Sequence, residues 1–135
     1  MKVIVQNGAV HALSRQEVEA MVRAFPKAWS HRVKSIVLYQ GNELEARVSF
    51  HPKEQIIGLH GPSASTVSPQ SKAKAIEALL PALAIVAERG ELPARLSPSL
   101  RSRLAEQTSE LRGRCLALTG NHTEDPATFP DCQTS

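Results

Sequence analysis

Apolar and polar positions alternate most cleanly between Leu44 and Phe50. Leu44, Ala46, Val48 and Phe50 interleave with Glu45, Arg47 and Ser49, the period-two signature of a strand with one buried and one wet face. Lys34–Gln40 and Gln55–His60 read as two further strands. Gly41-Asn42 supplies a hairpin turn signal, since both residues tolerate positive φ, and His51-Pro52-Lys53-Glu54 supplies a second turn. Three strands with such short links predict an antiparallel meander. Val3-Ile4-Val5 is a β-branched run that can add a short N-terminal strand.

The helical period appears on either side of these strands. Ser14-Arg15-Gln16-Glu17 is a capping box. Val18, Met21, Val22 and Phe25 then recur at helical spacing until Pro26 stops the helix. Ser68-Pro69 is a cap followed by proline at the first helical position. It opens a helix to Arg89, closed by Gly90, with Ile76, Leu79, Leu80, Leu83 and Val86 on a broad apolar face. Pro81 inside it removes a backbone bond and predicts a kink. Ser97-Pro98 repeats the cap-and-proline start. That helix runs to Arg112, with Leu118 as its furthest extent, and carries Leu100, Leu104, Leu111, Cys115 and Leu118 on one stripe.

The fold class expected is therefore α+β. An antiparallel three-stranded meander, with a short N-terminal strand as an optional addition, packs against two helices. A further C-terminal helix is attached. Residues 1–118 form one domain, and 119–135, acidic and almost without apolar residues, form a disordered tail. The loop from Gly61 to Gln70 exceeds the usual length.

Composition narrows the function classes. The chain has 135 residues, enough for one domain with its own core. Aromatic residues are only 4%, so the core must be aliphatic. The longest apolar stretch, Ala78–Ala87, is too short to span a bilayer, and MKVIVQNG is too polar for a signal peptide. Two cysteines, Cys115 and Cys132, make no disulfide framework. These features place the protein in the cytoplasm, soluble and away from membranes. All 16 Lys and Arg precede residue 118, while Glu124, Asp125 and Asp131 follow it. A basic body of this kind can touch a polyanion.

Catalytic and metal-binding patterns are sparse. His11, His31, His51, His60 and His122 lack metal-ligand spacing, and there is no Cys-x-x-Cys. There is no Gly-x-Ser-x-Gly elbow and no phosphate-binding loop. Cys115 lies on the apolar stripe, a packing position rather than a reactive one. No cofactor, metal or catalytic residue is expected.

Two surfaces remain. Leu100, Arg101, Leu104, Leu111 and Arg112 form a leucine/arginine helix surface for a protein partner or a second copy. Lys27, Trp29, Arg32 and Lys34, joined by Lys72 and Lys74, form a basic surface with one indole, suited to nucleic acid. The first makes the protein a non-enzymatic binding or adaptor protein; the second makes it a nucleic-acid-binding module.

Two resemblances bear on these readings. The order helix, three antiparallel strands, helix, with Ser71-Lys72-Ala73-Lys74-Ala75 opening the last helix, resembles the double-stranded RNA-binding domain. That resemblance implies nucleic-acid binding, with Lys72 and Lys74 at the basic start of that helix. The chain departs from it in the long proline-bearing loop, in Pro81, and in lacking a Gly-rich run before the lysines. The same order is similar to the minimal core of zinc metallopeptidases, whose corresponding helix carries His-Glu-x-x-His. Here that stretch is Ile76-Glu77-Ala78-Leu79-Leu80, so this resemblance implies a remnant domain without catalytic residues. Neither names a family for the chain.

Overall fold

The structure is a computed structural model that describes residues 1–41, 45–63 and 69–123. Its elements run β1 (Lys2–Val5), α1 (Arg15–Val22), a 3-10 helix (Lys27–His31), β2 (Ser35–Tyr39), β3 (Arg47–His51), β4 (Ile56–His60), α2 (Pro69–Arg89), α3 (Pro98–Gln107) and α4 (Ser109–Thr123). Leu44, the start of the alternating run, and Asn42 lie outside the described residues.

The sheet is not a meander. Its order is β1-β2-β4-β3, with β1–β2 and β2–β4 parallel and only β3–β4 antiparallel. The N-terminal strand is a full member, and β4 is inserted between β2 and β3. The physical reason lies in burial. Ile36, Val37 and Leu38 of β2 and Ile57, Gly58 and Leu59 of β4 are all buried, the continuous apolar run of a central strand. The alternating β3, with Arg47 and His51 exposed, is an edge strand.

Gly41 explains how the chain reaches the far edge. A Cβ there would sit 2.8 Å from the His60 carbonyl carbon and 2.9 Å from the Gly61 nitrogen. Glycine at 41 thus serves a close approach of two backbones as the chain crosses the end of β4. It does not close a β2–β3 hairpin.

The core lies on one face of this sheet. Val3, Ile36, Leu38, Ile57 and Leu59 are buried there, with Val48 and Phe50 packed against them. Onto this face α2 brings Ala75, Ile76, Leu79, Leu80, Leu83, Ile85 and Val86, all essentially inaccessible. The helix runs unbroken through Pro81. It ends where Gly90 takes φ 74° and donates its N–H to the Val86 carbonyl at 2.7 Å, a left-handed cap that glycine adopts without strain. At the start of α1, Ser14 Oγ accepts from the Glu17 N–H at 3.1 Å and Glu17 Oε1 accepts from the Ser14 N–H at 2.9 Å. The capping box is therefore formed.

The single C-terminal helix expected over 97–112 is two helices. Thr108, at φ −103° and ψ 7°, ends α3, and its hydroxyl donates to the Leu104 carbonyl at 2.8 Å. α4 then packs on α2 and α1 and continues to Thr123 with Thr119 buried. The boundary expected after residue 118 thus falls inside α4. No described helix is long and apolar enough to cross a membrane.

Candidate functional site

The leucine/arginine stripe does not form one outward surface. Leu104 is fully buried, and Leu100 and Leu111 are half-buried against the core. Leu100, Arg101 and Leu104 belong to α3, whereas Leu111 and Arg112 belong to α4. Arg112 reaches Glu77 of α2 at 3.8 Å. Nearby, Arg103 grips Glu88 with two bonds of 3.2 and 3.1 Å. That grip is the first cause of a Glu88 carboxyl held below its ordinary range, with Arg89 adding to it. The leucines anchor both helices, and the arginines tie their rims to α2.

The second expected surface is also divided. Trp29 is buried and packs on Phe25, with ring centroids 5.1 Å apart, so its indole fills the core instead of offering a stacking platform. Lys27 and Lys34 are exposed, and Lys34 Nζ donates to the Ser30 carbonyl at 3.3 Å. The Arg32 guanidinium lies where a side chain at Gly90 would sit, beside the negative end of α2. Lys74 is exposed near the other end of α2, roughly 24 Å away at the helical rise. Lys72 is buried and donates to Glu17 Oε2 at 2.7 Å, with side-chain exposures of 9% and 4%. It clamps α2 to α1 and is closed to solvent. Its position four residues before Ile76 and seven before Leu79, on the buried face, is the sequence signal for that role.

The structure assembles a different site beside β3. A groove of about 480 Å³ runs between β3, α2 and the segment before α3. Ala46, Val48, Pro81, Leu92 and Leu96 give it an apolar lining, with Arg95 and Arg101 beside them; Arg47 lines it too, but its register opposite His60 turns its side chain to the other sheet face. Glu77 also lines it, engaged by Arg112. Among the described elements β3 pairs with β4 alone, so its outer backbone edge is unpaired next to this groove. Of the expected partner residues, only Arg101 lines the groove. Arg47 and Arg95 are far apart in sequence and gave no local signal.

The sheet face opposite the core carries a second cluster. Tyr39 stacks on His60, with centroids 4.6 Å apart and planes 9° apart, and Ser49 Oγ lies 3.0 Å from His60 Nε2. All three converge over Gly58, where a Cβ would come within 2.7 Å of Ser49 Oγ and 2.8 Å of Tyr39 Cε2. Burial, then the charges of Arg47 and His51, hold His60 below its usual value. Among the described residues no carboxylate orients the ring. A serine–histidine contact without an orienting partner or an oxyanion pocket lacks the parts of an acyl-transfer site.

Other chemistry is equally limited. Burial pushes the Cys115 thiol up to about 11, so it is not a nucleophile near neutral pH. Cys132 and His122 lie outside the described residues or side chains. Among the described residues no group of three His, Cys, Asp or Glu is placed to hold a metal ion.

His11 is buried. Its Nδ1 accepts from the Leu13 N–H at 3.0 Å, and its Nε2 has no well-formed partner although the Gly61 backbone is close. Burial holds its pKa below the ordinary value and His60 adds to this, while the Gly61 and Leu13 backbones oppose it. The unfolded chain therefore takes up this proton first. The stabilisation is complete above about pH 6.5 and is lost as pH falls toward the folded-state value. The urea midpoint should decline between about pH 7 and pH 5, and His11→Gln should flatten that decline. An unchanged slope would remove His11 from this account.

Comparison of the chain with protein-family models, with curated proteins and with solved structures finds no match.

Proposed function

We propose that this is a non-enzymatic binding protein whose ligand is an extended, acidic peptide segment of a protein partner. The segment adds to the free edge of β3 and lies in the adjoining groove. The observation that carries this reading is the juxtaposition of an unpaired strand edge with a largely apolar groove flanked by Arg95 and Arg101. Main-chain bonds to an open edge supply affinity, and flanking pockets supply specificity. The guanidiniums of Arg95 and Arg101 beside it favour carboxylates, which they can grip with two bonds each. With two cysteines and no disulfide framework in the sequence, a reducing cytoplasmic setting suits the protein.

Fluorescence anisotropy with a labelled Glu-rich peptide and a Lys-rich peptide of equal length tests this. The acidic peptide should bind, and binding should weaken as salt rises. Arg101→Glu should cut affinity about tenfold or more while leaving the melting temperature unchanged. Equal binding of both peptides, or an Arg101→Glu variant that binds as well as the parent, would overturn the proposal.

The Tyr39–His60 stack beside Arg47 and His51 favours a second reading, in which single-stranded nucleic acid lies on the open sheet face. Oligonucleotide binding that is lost in Tyr39→Ala and spared in Arg101→Glu would select it.

A further inference from the structure

The other edge of the sheet has its own unpaired strand. Among the described elements β1 pairs with β2 alone. Among the described residues, the exposed large hydrophobic side chains are Ile4 (43%) and Val5 (37%) of β1 and Val10 (47%) in the segment that follows it. An apolar strand with a free edge is a template for another strand, and natural proteins usually blunt such edges. Here Lys2 is the only charge on the strand.

The hydrogen bonds define what this edge offers. The Lys2 N–H donates to the Lys34 carbonyl and the Gln6 N–H to the Leu38 carbonyl. In a parallel ladder the inward-facing residues alternate, so Lys2, Ile4 and the Gln6 N–H turn toward β2, while the Gln6 carbonyl accepts from the Ala9 N–H. Val3 and Val5 turn theirs outward. A second copy related by a two-fold axis through Ile4 would pair Val3 of each copy with Val5 of the other, both N–H···O bonds being made in each pair. Ile4 would then face Ile4 as a non-hydrogen-bonded pair, about 4.5 Å apart at Cα. In that register Lys2 lies opposite Gln6, so no like charges meet. The alternative axis through Val3 would place Lys2 against Ile4.

The helix side is compatible with the same axis. Arg15 and Glu19 of α1 flank this edge together with Met1–Val5. Arg15 and Glu19 pair with each other within α1 at 3.3 Å; in two antiparallel copies of α1 they can exchange partners, Arg15 of one meeting Glu19 of the other, a self-complementary arrangement of the kind a two-fold interface requires.

We propose that the chain forms a two-fold dimer by antiparallel pairing of β1 with β1 of a second copy, centred on Ile4, making one eight-stranded sheet. β1 and β3 are opposite edges, so this dimer leaves the β3 groove open and does not depend on it.

Sedimentation equilibrium of the full chain over about 1–200 μM, a range set by ordinary dimer affinities, tests the proposal. The mass should rise from 14.7 kDa toward twice that value. Ile4→Lys should hold the protein at the monomer mass. Val5→Pro should do the same, because it removes only an outward N–H and leaves the β1–β2 ladder intact. Both should keep the parent circular dichroism spectrum. In a Cys132→Ser background, Ile4→Cys should cross-link to a dimer on mild oxidation, since the expected Cα separation lies within disulfide reach. A parent that stays monomeric throughout, or a dimer untouched by both Ile4→Lys and Val5→Pro, would overturn the proposal.

Discussion

Replacing Lys72 with methionine should destabilise the protein by about 3–5 kcal/mol, a large share of the roughly 5–15 kcal/mol that holds a domain of this kind together. The loss comes from the partner left behind. Glu17 is 3% exposed, with one carboxylate oxygen spent on the α1 cap and the other on Lys72. Without the ammonium, Glu17 carries an uncompensated charge in a low-dielectric setting. One consequence distinguishes this from simple loss of packing. In a Glu17→Gln background, Lys72→Met should cost much less, because no charge is orphaned. Urea denaturation of the four proteins of this double-mutant cycle measures it. A Lys72→Met cost within about 0.5 kcal/mol of zero, the usual range for a surface change, would mean that the clamp between α1 and α2 does not exist.

The second large effect is expected at Leu104. It is inaccessible and belongs to the core cluster, so Leu104→Ala should cost about 2–5 kcal/mol, with a melting temperature lowered by several degrees or more. Leu104→Glu should prevent folding altogether, since the carboxylate would meet no partner. This separates the structure from the surface the leucine stripe first implied. On a partner-binding face, Leu104→Glu would leave a stable, folded protein that had lost only its association. Thermal unfolding followed by circular dichroism decides between them. A folded Leu104→Glu variant with the parent's melting temperature would put Leu104 back on the surface.

What could be read from the residues alone follows from how local each signal is. The Ser14–Glu17 capping box and the Gly90 stop depend on neighbours a few positions apart, and both are formed; of the alternating run Leu44–Phe50, the strand takes up Arg47–Phe50 and goes on to His51. Strand order depends on which backbone meets which across the chain, and local pattern is silent on that. Gly41 shows the difficulty. The residue that looks like the corner of a hairpin is a glycine because His60 and Gly61 pass close by. A better pointer was available in Ile36-Val37-Leu38 and Ile57-Gly58-Leu59, whose unbroken apolar character suits strands flanked on both sides more than members of a half-wet meander.

The candidate site was legible only in fragments, for the same reason. Arg101 was visible as a cation beside a leucine stripe. Arg95 joins it only once β3 is an edge and the segment before α3 faces it. Charge alone groups Lys72 with Lys74, although its spacing to Ile76 and Leu79 places it on the buried face. Trp29 sits among basic neighbours in sequence, although Phe25, four residues before it, supplies the contact that turns it inward.

The claim on which the groove rests is that β4 is an interior strand and β3 an edge. Residue-by-residue amide hydrogen exchange tests it directly. Slow exchange at successive amides of β4, with alternating slow and fast exchange along β3, is the predicted result. Slow exchange at every amide of β3 with alternation along β4 would restore the meander and remove the groove.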